Sequence, residues 1–361
     1  MSRIPTLFAF VLGLSACGRA EPAPVPQQSR LPVVVDQASG VTALLQAVSV
    51  VDSNVVWISG HDATVVRTTD GGRTWTRRPV TGAPDSLQFR DVHALDARTA
   101  WTLAAGPGEM SRIYRTDDGG ATWARQWTNP EPAGFYDCFD FWDANRGVAY
   151  GDAVDGELRV LVTDDGGRSW RFVPQSGLPA AQEGEGGFAA SGLCVQTRPG
   201  GLAWIAAGNA AQPRVFMTSD YGRTWSAAAV PVEAGSGAGL TAISMLTDDE
   251  GVAFGGNLGI TDRRTANLAL TADGGRTWRA GAPISFDGAI YGGLHAMPFG
   301  ASPTLLAVGP GGLAAGNAAG WTTLDARAWW GIGTLIGRDA TWVAGPGGRI
   351  ARVRLQPIDA P

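Results

Sequence analysis

An all-β fold, a single seven-bladed β-propeller, is what this 361-residue sequence predicts, on three observations. An eight-residue pattern, S/T-x-D-x-G-x-S/T-W, occurs five times, at residues 68–75, 116–123, 163–170, 218–225 and 271–278. Its tryptophans recur 47 to 55 residues apart, a period that suits a four-stranded blade with its loops. A second feature, a short apolar strand that typically ends in Gly, recurs seven times. Helical periodicity is absent, while Gly (51 residues) and short strand-sized runs abound.

The elements follow in chain order. Residues 1–17 carry a basic start, a short apolar stretch from Leu7 to Leu14, and Leu14-Ser15-Ala16-Cys17. The stretch is too short to span a bilayer and resembles a bacterial lipoprotein signal peptide, which implies lipidation of Cys17. Residues 18–31, rich in Pro, Ala and Gln, read as a flexible tether. Residues 32–357 form the propeller, with Leu31 to Val35 as a candidate closing strand for the last blade. Five units pair a strand with a motif copy; the strands are Val55–Gly60, Ala100–Leu103, Gly147–Gly151, Leu202–Ile205 and Gly251–Gly255. Two more units, starting at Leu305 and Thr341, lack the full motif. Seven units close a ring, and closure leaves only short, protected edges.

Each motif copy follows an apolar run and reads as a hairpin turn. Its aspartate (Asp70, Asp118, Asp165, Asp220 or Asp273) can accept backbone N–H groups, and its glycine can take positive φ. The pattern resembles the Asp-box, or BNR repeat, of sialidases, other glycoside hydrolases and non-enzymatic propellers. That resemblance implies structural hairpins on the face opposite the binding face, and no particular activity.

Net charge is −5 and every basic residue other than the three His is Arg. No basic stripe with interleaved aromatics occurs, which argues against nucleic-acid binding. Apart from Cys17 there are two cysteines, Cys138 and Cys194, at similar places on the innermost strands of blades three and four. A disulfide and a pair of buried thiols both fit.

The innermost strands of a propeller begin at the face opposite the hairpins, so binding residues belong in the loops there. Residues 130–140, 152–157, 182–188 and 257–264 supply Tyr136, Asp137, Asp140, Asp152, Asp155, Glu183 and Glu185, with Arg263 and Arg264 from a long insertion. Acids beside aromatics suit a sugar, a cationic protein segment, or Ca2+ as the one candidate cofactor; no other cofactor is expected. A sialidase site needs an arginine triad and a Tyr nucleophile. Tyr136 and Tyr291 are candidate tyrosines, but no triad assembles, and Arg3-Ile4-Pro5 lies in the leader. Two-carboxylate hydrolysis through Asp137 with Asp152 or Glu185 stays open. His61, His93 and His295 are scattered singly.

The repeating unit resembles the photosystem II stability/assembly factor family and its non-photosynthetic bacterial relatives over residues 40–355. Gly134 to Asp143 is similar to bacterial relatives labelled oxidoreductase or glycosyl hydrolase, but no dinucleotide fingerprint is present. The resemblance implies a binding scaffold more than an enzyme. The expectation is a monomeric, lipid-anchored envelope protein, periplasmic or surface-exposed, that binds a protein or glycan partner; glycoside hydrolysis is the alternative.

Overall fold

The computed structural model describes residues 31–296, 304–317, 320–333 and 340–354. Cys17 and most of the tether therefore lie outside the described residues. Seven four-stranded antiparallel sheets form a ring, and in six of them each strand pairs with the next in sequence. From innermost strand outward, blade 1 is Leu45–Val50, Val56–Gly60, Thr64–Thr68 and Thr76–Arg77. Blade 2 is Phe89–Ala94, Ala100–Ala104, Arg112–Thr116 and Ala124–Thr128. Blade 3 is Tyr136–Phe141, Gly147–Val154, Glu157–Thr163 and Arg171–Phe172. Blade 4 is Val195–Arg198, Leu202–Ala207, Arg214–Thr218 and Ser226–Ala229; blade 5 is Ala238–Met245, Glu250–Asn257, Leu268–Ala272 and Arg279–Ala280. Blade 6, Gly292–Ala296, Thr304–Gly309, Gly312–Asn317 and Gly320–Asp325, has no motif hairpin.

Blade 7 is built from both chain ends. Gly331–Ile332, Ala340–Ala344 and Ile350–Arg354 are completed by the N-terminal strand Val33–Gln37, in register from Val33 against Arg354 to Gln37 against Ile350. The closing strand lies two residues later than the sequence suggests. Leu31 stays exposed, while Gln37 supplies a contact that no hydropathy pattern reveals. Its Nε2 donates to Gly71 O at 3.2 Å, and its Oε1 accepts from Trp75 Nε1 at 3.2 Å and Trp342 Nε1 at 3.0 Å. One amide thus joins blade 7 to blade 1.

The five hairpins share one bonding scheme. In the first, Thr68 Oγ1 donates to Asp70 Oδ1 (2.8 Å) and accepts from Gly72 N (2.9 Å). Asp70 also accepts from Thr74 N and Thr74 Oγ1 (2.9 and 2.7 Å). Asp118, Asp165, Asp220 and Asp273 repeat it. Bonds to Thr74 hold the Asp70 carboxyl down to about 2. Each carboxylate is spent within its own turn.

The same face carries ties between blades. Second-strand Trp57, Trp101 and Trp204 donate through Nε1 to Asp96 O (3.0 Å), Gly166 O (2.9 Å) and Gly274 O (2.8 Å) of the following blades. Arg67 and Arg115 stack over Trp57 and Trp101 and bond Ala97 O and Gly166 O of those blades. The tryptophan bodies are buried between sheets, where an unpaired indole N–H would cost free energy.

Cys138 and Cys194 are joined in a disulfide, with Cα atoms 5.9 Å apart. It links the innermost strand of blade 3 to the residue preceding that of blade 4. Closing a chain segment of 56 residues removes about 4 kcal/mol of unfolded-state entropy in the loop-closure treatment. Replacing both cysteines by alanine is expected to lower unfolding free energy by up to about that amount. A shift of the guanidinium midpoint of under about 0.5 kcal/mol equivalent would show that the bridge closes no costly loop.

Candidate functional site

Each innermost strand starts at the face away from the hairpins, and four of them carry a β-bulge at that end. Pairing shifts between Leu45 and Ala47, Phe89 and Asp91, Tyr136 and Cys138, and Leu240 and Ala242. The extra residues are Gln46, Arg90, Asp137 and Thr241. A bulge re-aims the side chain it carries, and three of these four converge on one loop.

That loop is residues 173–194, between blades 3 and 4. It crosses the funnel and touches most of the ring. Gln46 Nε2 donates to Ala189 O (2.6 Å), Ser191 Oγ to Tyr291 O (2.7 Å) of the chain entering blade 6, and Ile243 N to Leu193 O (2.9 Å). The loop is pinned near its middle by Glu185, whose side chain is fully buried. Arg214 Nε donates to Glu185 Oε1 at 2.8 Å, Arg214 Nη2 bonds Oε2, and Gln182 N donates to Oε2 at 2.9 Å.

Beneath the loop, Asp137 and Asp152, flanking the Tyr136–Gly151 pair of blade 3, both turn their carboxyls against Gly187. Gly187 N donates to Asp152 Oδ1 (3.0 Å), and Ala153 N to Glu185 O (2.9 Å). A Cβ at Gly186 would fall 2.0 Å from Asp152 Oδ1, and one at Gly187 2.6 Å from Asp137 Cγ, so only glycine seats the loop here. Burial, and then the neighbouring Asp152 charge, push the Asp137 carboxyl well above the usual range. Burial raises Asp152 to about 6. Arg90 offsets this at Asp137, while its Nε donates to Gln88 Oε1 at 2.9 Å. Tyr150, buried beside the two acids and Glu185, has a hydroxyl without a partner among the described residues.

Above the loop lies a cleft of about 260 Å³, lined by Leu44, Gln46, His61, Arg90, Phe188, Ala189, Ala190, Leu258, Tyr291 and Trp330. Tyr291 and Trp330 meet edge to face, with centroids 4.9 Å apart. His61 Nε2 lies 3.0 Å from Gln46 Oε1, and burial lowers the His61 pKa, favouring the neutral ring. The cleft is thus aromatic, with one guanidinium at its edge. Below the loop, the rest of the central channel is a separate chamber of about 240 Å³, lined by Asp91, His93, Asp140 and Thr197 among others.

No family profile matches the chain, and no curated protein is detectably similar to it in sequence. Among solved structures, YCF48 bound to D1 peptide superposes with a TM-score of 0.62, covering 94% of this chain and 100% of that one at 16% identity. The chain has the YCF48 fold. YCF48 from Cyanidioschyzon merolae aligns at 15% identity over 89% of this chain and 98% of that one, with a TM-score of 0.42. An ancestral GH74 enzyme gives a TM-score of 0.58 at 13% identity, covering 88% of this chain. The match takes in 46% of the GH74 chain, so the present chain spans about half its length. At such identities YCF48 and GH74 share architecture with this chain and nothing finer.

On this YCF48-like ring the residues singled out from sequence fall in four groups. Asp137, Asp152 and Glu185 gather beneath the loop, Asp137 and Glu185 fully buried, whereas Tyr136 is buried edge to face on Trp127 in the core between blades 2 and 3. Asp155 and Glu183 are exposed on the funnel face, and so are Arg263 and Arg264; Arg264 lies 3.7 Å from Asp287 rather than on the buried acids. Asp140 sits three residues further along its strand, toward the hairpin face. There it meets His93 Nδ1 at 2.7 Å and accepts from Thr197 N at 2.7 Å. Among the described residues no three His, Cys, Asp or Glu gather at metal-ligating distance. Gln46, Arg90, Tyr150, Arg214 and Trp330 escaped sequence reasoning. For Arg90 a signal existed: Phe89-Arg90-Asp91 aligns, one repeat earlier, with Tyr136-Asp137-Cys138.

Proposed function

We propose that this chain is an envelope-anchored binding scaffold, tethered through a lipidated Cys17, that holds a segment of a protein partner across its funnel face. The observation carrying this reading is the aromatic cleft formed by Tyr291, Trp330, Phe188 and Leu258, with Arg90 and His61 at its rim. Aromatic side chains offer large contact area at low entropic cost, and a half-buried guanidinium selects orientation. A protein partner is supported by the peptide held in the YCF48 structure of the same fold. An oxidising compartment is supported by the disulfide. Asp137 and Glu185 act in this reading by seating the loop that floors the cleft, not by touching the partner.

The test is photocrosslinking from a probe residue in place of Trp330, and from one in place of Arg73 on the hairpin face, in the native envelope. Partner adducts from position 330 alone are the expected result. Equal adducts from both faces, or none, would remove the cleft from the function. The second reading, glycoside hydrolysis, is favoured by the Asp137–Asp152 pair, whose carboxyls burial pushes above the usual carboxylate range. It requires a sugar to reach carboxyls that lie under Gly186 and Gly187. Release of reducing ends from a polysaccharide panel, abolished by Asp152→Asn, would establish it in place of the scaffold.

A further inference from the structure

The acid pair lies directly under the loop that floors the cleft, with both carboxyls packed against the same two loop glycines, Gly186 and Gly187. Asp137 Oδ2 is buried and has no partner among the described residues. Two facing carboxylates without a proton would leave adjacent like charges in a dry site. We propose that Asp137 and Asp152 share one proton, and that this proton latches the 173–194 loop across the funnel. The inference deepens the scaffold reading by naming how its site is regulated.

The geometry gives the latch its reach. Gly187 N bonds Asp152 Oδ1, and Gly186 and Gly187 rest on the two carboxyls too closely for any Cβ. The next residues, Phe188, Ala189 and Ala190, are the cleft floor. Ala189 O takes the Gln46 amide that also meets His61. Movement of the glycines off the acids therefore carries the floor with it. The charged and titratable groups facing the pair are Arg90 from blade 2, Tyr150 from the second strand of blade 3, and Glu185 from the loop itself. Glu185 is neutralised by Arg214 of blade 4. Among the described residues Arg90 is the cation that acts on Asp137, and burial and the Asp152 charge outweigh it.

The sign of the pH dependence follows. Both carboxyls hold protons more tightly folded than unfolded. Their contribution to stability is complete below the ordinary value of 3.8 and is lost as pH rises through the folded values, about 6 for Asp152 and well above 3.8 for Asp137. While the pair keeps one proton the latch is closed. Once pH has risen far enough to ionise both acids, the loop lifts.

Chymotrypsin cleavage after Phe188 reads the loop directly, without any partner, by mass spectrometry from about pH 5 to pH 9. Rates are normalised to a free peptide substrate. The expected result is resistance at the acid end and a rise of up to about tenfold per pH unit, the limit for one proton. Asp137→Asn should remain resistant throughout, because an amide can donate to Asp152 with no proton to lose. Asp152→Asn is the second variant, with the same expectation. A flat wild-type profile overturns the latch, and so does an undiminished pH response in both variants. Failure here leaves the cleft and its crosslinks untouched, whereas loss of crosslinks at position 330 with a normal latch removes the scaffold reading alone.

Discussion

A chain that begins at Ser39 should fail to hold a closed ring. The deletion removes the strand Val33–Gln37 and bares the edge of Ile350–Arg354, whose Ile350, Ala351 and Val353 are fully buried in the intact protein. It also removes Gln37, which bonds Trp342 on one side and Trp75 and Gly71 on the other, and Asp36, which takes both Nη atoms of Arg327 at 2.8 Å. An unpaired, apolar strand edge is a template for association. The expected outcome is loss of the single cooperative melt and growth of oligomers, seen by circular dichroism and by light scattering after size-exclusion chromatography. A monomer melting at the full-length temperature would show that six complete blades suffice. Gln37→Ala is the milder test, expected to weaken the join by about 1–3 kcal/mol through two unpaired indole N–H groups.

Arg214→Ala should cost about 3–5 kcal/mol, because it leaves the buried Glu185 carboxylate without its cation. Glu185 has no exposed side-chain area, and without the guanidinium its charge keeps only the Gln182 donors. Arg214 also ties Ala180 O and stacks over Phe216, so the base of the loop loosens with it. Replacing both partners, as Arg214→Met with Glu185→Leu, should recover most of the loss, because no buried charge is then left unpaired. Urea unfolding of the two single variants and the double gives the coupling energy. A single-variant loss below about 1 kcal/mol would mean that water, not Arg214, satisfies Glu185.

Five motif copies were enough to make the ring legible, because each hairpin is a local structure: every bond to Asp70 or Asp118 comes from within a few residues. Seven units and a closing strand at the N-terminus followed from the same periodicity. The offset of that strand arose because exposed Leu31 reads as strand by hydropathy alone, while polar Gln37 completes it. The site was less legible because its determinants are not local. Strand periodicity places Asp137 and Asp140 on one segment, but a bulge turns Asp137 under the loop while Asp140, three residues on, bonds His93 and Thr197. Glu185 reads as an open acid until Arg214 is found beside it. The cleft draws on blades 1, 2, 5, 6 and 7 and on a loop that Gln46 reaches across 143 residues of sequence.

The indole ties on the hairpin face bear on how damage spreads. In an open stack of repeats, an end unit can fray while the others stay intact. Here Trp57 holds blade 2, Trp101 holds blade 3, Trp204 holds blade 5, and Gln37 joins the last blade to the first. No unit is terminal. Opening any blade breaks two seams at once, so the ring has no end blade from which unfolding could begin, and its lifetime is set by the rare event in which a whole seam parts.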